Sequence, residues 1–236
     1  MDHSERLLRA AAEVASLRAG TAADARLRQW SVALKHWQSA RLAATHADML
    51  AEPRHRDAAR FFLDDLYGAK DFSQRDAELA HVIPILVRTL PGSALATLAD
   101  AVELDALSER LDEAMAGRLR RGDENDIDEA AYAQAYRSCS PMADREHQLD
   151  LVLSIGRSLD RLVRMPLLGA LLSAMAGPAR LAGVPEMHDF LVRGFRAFRG
   201  IGGASVFLGR VDTRERVILH ALYGGQDVGW TRNPAA

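Results

Sequence analysis

The sequence predicts an all-α protein, a single compact bundle of about ten helices. Three observations carry this expectation. Apolar residues recur three and four positions apart, the period of one helix face. Residues that start and stop helices punctuate the whole chain. Alternating apolar and polar runs, and the tight turns that join strands, are nearly absent.

The elements follow in order. A first helix is expected over 3–18, stopping at Gly20. Thr21 with Asp24 has the spacing of a capping box, in which hydroxyl and carboxylate each satisfy an orphan amide. A long helix then runs to about Leu50, with Leu27, Trp30, Leu34 and Trp37 along one face, and Pro53 ends it. A short helix over 54–67 stops at Gly68. Ser73 and Asp76 cap the next, which runs to Leu90 with a kink at Pro84. Ser93 opens 94–103, and Asp105 opens an amphipathic segment to about Arg121. After the polar GDEND loop, Asp126 and Glu129 cap a helix to about Arg137. Ser140-Pro141 reads as an N-cap followed by proline at the first helical position, starting a helix to about Arg164. Helices over 166–176, 185–199 and 203–223 complete the set, and Gly224-Gly225 stops the last.

No repeat and no proline- or glycine-rich linker divides the 236 residues. One domain over 1–225 with a loose tail over 226–236 is therefore expected, and 121–126 is the one tolerable internal boundary. Apolar residues make up 48% and charged residues 26%, the balance of a globular rather than a disordered chain. Cys139 is the only cysteine, which excludes an internal disulfide framework and multi-cysteine metal sites and suits a reducing, cytoplasmic setting. The opening MDHSERLLRAAAEV lacks the apolar core and cleavage site of a signal peptide. The longest uncharged apolar run, Met165 to Pro178, is too short for the ~20 residues that cross a bilayer, and reads as a buried core helix. With a net charge of −2 there is no basic field to hold nucleic acid. The arginines from Arg193 to Arg216 are interleaved with Asp212 and Glu215 and read as a solvated face. Neither nucleic acid nor membrane is expected as a partner. The sequence contains no GxSxG elbow, Walker loop or HExxH pair, and implies no cofactor.

The informative residues are charges standing on apolar stripes, because an unpaired buried charge costs several kcal/mol. Arg41 continues the Leu27–Trp30–Leu34–Trp37 face. Asp65 shares a face with Ala58, Phe61 and Phe62. Arg145 heads the row Leu149, Val152, Gly156 and Leu159, while Arg214 and Glu215 interrupt Phe207, Val211, Ile218 and Leu222. Such charges form either Arg–carboxylate ties between helices or a polar pocket whose arginines hold an anion. Arg41 and Asp65 are the pair expected to share a contact. Trp30 and Trp37 read as core aromatics. Cys139, beside the Ser140 cap, has no base near it in sequence and reads as an inert thiol.

A second constellation is metal-like. Glu78 with His81, and Asp144 with His147, each put a carboxylate and an imidazole three residues apart on one helix. Di-metal helical bundles use that spacing twice, with one further carboxylate from each of two other helices. Asp64 or Asp65 and Glu103 or Glu113 stand in the order required. Against this, one pair has Asp for Glu, and such spacings arise by chance in a chain with 32 acids and eight histidines.

The segments RLRQWSVALKHWQSARLAATHADML and FFLDDLYGAKDFSQRD resemble a widespread group of uncharacterised proteobacterial helical proteins, with a WQSxRLxxTHxD…FFLDDLYGxxDFxxRD signature. The likeness continues through Arg145-Glu-His-Gln148 and FLVRGFRAF…FLGRVDTRE, so it covers most of the chain. The resemblance implies a bacterial cytoplasmic helical protein and no activity. It places Arg41, Asp65, Asp71, Arg75, Asp76, Arg145, Arg214 and Glu215 inside the shared segments, and does not feature a histidine at His81.

The functional expectation is a helical module that binds a protein partner or a small anionic ligand through Arg41, Asp65, Asp71, Arg75, Arg145, Arg214 and Glu215. The alternative is a ferritin-like di-metal oxidoreductase on Glu78, His81, Asp144 and His147. A structural homodimer would need an exposed apolar face that the sequence does not locate.

Overall fold

In the computed structural model, residues 2–66, 78, 82–83, 87, 92–121, 126–226 and 228 are described, and they form eleven α-helices and one π-helical turn. The all-α expectation therefore holds. Among the described residues no helix is long and apolar enough to cross a membrane.

Local chemistry explains most boundaries. Helix α1 (His3–Ala23) runs through Gly20 and Thr21, so the expected Thr21 capping box does not form. Asp24 is instead the N-cap of α2 (Ala25–Thr45), its Oδ1 accepting from the amides of Arg26 and Leu27. The expected helix to Leu50 breaks at His46, between α2 and the short α3 (Ala47–Ala51). Thr45 contributes to the break, because its hydroxyl donates to the Arg41 carbonyl in the last turn of α2. Helix α4 (Arg56–Phe61) leads into the π-turn Phe62–Leu66.

The two segments expected over 94–103 and 105–121 are one helix, α5 (Gly92–Leu119), because Asp105 turns outward to Arg18 rather than capping. Asp128, not Asp126, caps α6 (Glu129–Ser138), accepting from the Ala131 amide at 2.7 Å. Pro141 occupies the N-cap of α7 (Met142–Leu162), one residue outside its expected place. Helices α10 (Pro185–Ile201) and α11 (Ser205–Tyr223) match expectation within two residues. The helix expected around Ser73–Leu90 lies almost wholly outside the described residues.

A further expectation is overturned. Met165–Pro178 is not a buried core helix. It forms two short pieces, α8 (Leu168–Ala174) and α9 (Ala176–Leu181); α8 buries no residue, and Leu171 and Met175 are exposed. The run is apolar on all sides, so its pattern names no inward face, and its glycines and flanking prolines keep its helices short.

The positions of the charged pairs define the architecture. Asp24 meets Arg120 and Lys35 meets Glu109, so α2 and α5 are antiparallel. Gln148 meets Ser108 and Ser154 meets Asp100, so α5 and α7 are antiparallel. Asp150 meets Arg216 and Asp160 meets the Ala204 amide, so α7 and α11 are antiparallel. Arg41 meets Glu215 and Glu52 meets Arg210, which sets α11 antiparallel to α2 and the residues following it. Helices α2, α5, α7 and α11 thus close a four-membered ring. Helix α1 packs outside it along α5, through Leu7, Ala10 and Val14 against Leu95, Ala99 and Val102. At one end of the ring, Leu27, Leu34, Met115, Tyr132 and Leu222 form an apolar cluster. At the other, Met49, Phe61, Leu149, Phe198 and Phe207 form a second. There Gly194 lets α10 approach α4, since a Cβ would lie 2.8 Å from Phe61 Cζ.

Candidate functional site

Between the two apolar clusters the ring encloses a cavity of about 130 Å³. Its polar wall comes from all four ring helices: Gln38 and Arg41 of α2, Ser108 and Asp112 of α5, Arg145 and Gln148 of α7, and Glu215 of α11. Tyr132 and Tyr136 of α6 line it as well, as does His46 from the break after α2. Phe62 and Leu63 of the π-turn, with Leu149, Val152, Phe207 and Val211, supply its apolar wall. Side chains converging from facing helices into a bundle core are the usual way such folds build a site.

Two arginines line this cavity and differ in how their charge is met. Arg41 Nη1 donates to both Glu215 oxygens, at 2.8 and 2.6 Å. Glu215 Oε1 also lies 3.0 Å from His46 Nε2. Burial pushes the Glu215 carboxyl up, but Arg41 and His46 outweigh burial and hold it down at about 2. Burial likewise opposes the charge of Arg41, and Glu215 overrides it, leaving the guanidinium above its usual range. This is a mostly buried ion pair, its side chains 11% and 15% exposed, with His46 as a hydrogen-bonded third member.

Arg145 has no such partner. It is 3% exposed, yet no carboxylate lies within ion-pair distance of it among the described residues. Nη1 reaches the Gln148 carbonyl at 3.3 Å, and Nη2 touches the Met115 sulfur at 2.9 Å. Its guanidinium carbon stands 4.2 Å from the Tyr136 ring centre, a cation–π contact. Nε is buried with no hydrogen-bond partner. The other acid on the wall is Asp112, held by the Gln38 amide at 2.9 Å. Burial raises the Asp112 carboxyl above its ordinary value, against the pull of Lys35, Gln38 and Arg145. Burial also raises Tyr132 and Tyr136, so both phenols stay protonated.

The remaining expected residues fall elsewhere. Asp65 pairs with Arg193 at 2.8 Å rather than sharing a contact with Arg41. Arg214 does not line the cavity and donates instead to Asp48 and to the Thr45 carbonyl. Asp71, Arg75 and His81 lie outside the described residues. Glu78 is buried and accepts from the Met187 amide at 2.8 Å. His147 is half exposed and lies 3.5 Å from Glu103, while Asp144 sits one residue before Arg145 on α7. Among the described residues no group of three or more metal-ligating side chains gathers.

Residues 17–228 match the family described as Domain of unknown function (DUF8198). The chain belongs to this family. No curated protein and no solved structure matches it. Every lining residue of the cavity falls inside the span that matches DUF8198.

Sequence reasoning reached Arg41, Arg145 and Glu215 in this DUF8198 site but missed Gln38, His46, Asp112, Tyr132, Tyr136 and Gln148. A signal existed for some of them. Gln38 and Gln148 lie three residues from Arg41 and Arg145, on the same helix faces. Tyr132 and Tyr136 are one turn apart on a single face, and Trp37 stacks on Tyr132 with ring centres 3.8 Å apart. Asp112 carries no mark that separates it from the other acids of its helix.

Proposed function

We propose that this DUF8198 protein is a helical ligand-binding module whose interior cavity takes one small anion on Arg145. The observation that carries this reading is the buried guanidinium without an ion-pair partner, its Nε unused, on the wall of a cavity. Proteins seldom bury a cation without an anion to meet it, because desolvation costs several kcal/mol. A bound carboxylate or phosphate supplies the missing partner through charge-assisted hydrogen bonds.

Size limits the occupant. A cavity near 130 Å³ is close to the roughly 150 Å³ engineered cavity that accepts benzene, so the ligand is small. Of a protein partner and a small anion, the geometry favours the anion, since no macromolecular surface reaches a side chain that is 3% exposed. The segments that carry the sequence resemblance, WQSARLAATHAD, REHQ and TRE, supply Gln38, Arg41, His46, Arg145, Gln148 and Glu215, which supports a shared role for the cavity. The lone Cys139 supports a reducing, cytoplasmic setting for it.

Thermal shift against acetate, pentanoate, benzoate and phosphate at matched ionic strength tests the reading. At about 100 times its Kd, a specific ligand adds ~2.7 kcal/mol, or roughly 5–10 °C for a chain of this size. Arg145→Met should abolish the shift. If no anion moves the wild-type midpoint, or the variant responds equally, the cavity is not an anion site.

A further inference from the structure

On the cavity wall, Arg145 Nε and His46 Nδ1 are buried polar atoms with no hydrogen-bond partner among the described residues, and they ask for opposite things. Arg145 Nε is an N–H that needs an acceptor. His46 Nδ1 is the other. Its demand follows from the far side of its ring, where Nε2 lies 3.0 Å from Glu215 Oε1. An ionised carboxylate can only accept, so a proton stands on Nε2, and in the tautomer that this contact selects Nδ1 is a bare acceptor. Arg41 reinforces this by fixing Glu215 in its ionised form from the opposite side. The chain Arg41–Glu215–His46 therefore sets a tautomer, with its free lone pair on a residue that lines the cavity.

We propose that the ligand is a short hydroxycarboxylate of about eight non-hydrogen atoms, its carboxylate on Arg145 and its hydroxyl donating to His46 Nδ1. This rests on the reading of the cavity as an anion site. Charge favours a monoanion over a dianion: Arg41 and Glu215 neutralise each other, and Arg145 shares the wall with Asp112, whose carboxylate Gln38 holds, so no ion pair meets its guanidinium. A phosphate dianion overcompensates that charge and offers nothing to Phe62, Val152, Phe207 and Val211. An amino acid satisfies both orphan atoms but carries an ammonium into a wall that already holds two guanidiniums, at a desolvation cost a hydroxyl avoids. The alkyl part of a five-carbon hydroxy acid covers the apolar wall.

Calorimetric titration at pH 8 separates these outcomes, using the full chain with pentanoate, its 2-, 3- and 4-hydroxy derivatives, 2-aminopentanoate and phosphate. One hydroxy isomer should bind about 3–10-fold tighter than pentanoate, the worth of one neutral hydrogen bond. In His46→Gln the side-chain amide still donates to Glu215 but the Nδ1 lone pair is gone. Measured within that variant, the hydroxy acid should then bind no tighter than pentanoate, so the hydroxyl advantage vanishes. If hydroxy acids bind no tighter than pentanoate, if the advantage survives His46→Gln, or if 2-aminopentanoate or phosphate binds tightest, the inference is overturned while the anion site stands. If nothing binds, the cavity reading falls and this inference with it. The wild-type series decides the ligand class even where the variant fails to fold.

Discussion

Arg41 and Arg145 line the same cavity, and their removal should have opposite consequences. Consider Arg→Met at each, which keeps an unbranched stem and deletes the charge. Arg145 offsets its desolvation, several kcal/mol, with a cation–π contact worth roughly 1–2 and a hydrogen bond to a neutral amide worth about 1. The sum lies near zero or on the unfavourable side. Arg145→Met should therefore leave the ligand-free protein unchanged or stabilise it by up to ~2 kcal/mol, about 0 to 8 °C in Tm. Arg41→Met instead strands Glu215, whose side chain is 15% exposed, against His46 alone. Breaking a buried pair from one side costs about 3–5 kcal/mol, or roughly 6–20 °C. Thermal and urea unfolding followed by circular dichroism at pH 7 would measure both, on protein refolded from urea to strip any co-purified ligand. A loss of stability in Arg145→Met as large as that in Arg41→Met would mean that Arg145 is a structural tie and not a ligand's partner.

Other consequences follow from the same groups. Glu215 is held at about 2 when folded against an ordinary 4.5, so its contribution is present above pH ~4.5 and lost as pH falls through 2. At about 1.4 kcal/mol per pH unit this amounts to ~3 kcal/mol, and the fall of Tm between about pH 5 and 2 should be shallower in Glu215→Gln than in wild type. Asp112 has the opposite sign: its folded carboxyl is raised, so it favours folding below its ordinary value and opposes it as pH rises. Asp112→Asn should thus raise Tm at pH 7 and lose that advantage in acid; a lower Tm at pH 7 would contradict the burial argument. Gly194→Ala drives a methyl into the buried Phe61 ring and should cost about 1–3 kcal/mol in urea unfolding. No loss would show that α10 and α4 pack less closely than described.

How much of this was legible in the sequence depended on the range of the interaction. The helical class and the inward faces of α2, α7 and α11 were legible because periodicity is local, and Arg41, Arg145 and Glu215 stood out as breaks in those faces. Pairing was not legible. Nothing in the chain says that Asp65 meets Arg193, 128 residues on, rather than Arg41. Caps were misread where two acceptors competed: Asp24 and Asp128 took the roles expected of Thr21 and Asp126. The exposed Met165–Pro178 run failed for a different reason, since a segment apolar on every side has no periodic signal to read. His46 was invisible as a site residue because its place depends on a helix break that neither proline nor glycine announces.

Arg145, in the proposed reading, is a buried cation whose missing partner is a ligand anion. A crystal structure of the protein with pentanoate, or its tightest-binding hydroxy derivative, tests it most directly. One carboxylate should stand in the ring of α2, α5, α7 and α11, its oxygen roughly 2.7–3.0 Å from Arg145 Nε. A cavity without the acid, or an Arg145 whose Nε is bonded to a carboxylate of the protein itself, would contradict it.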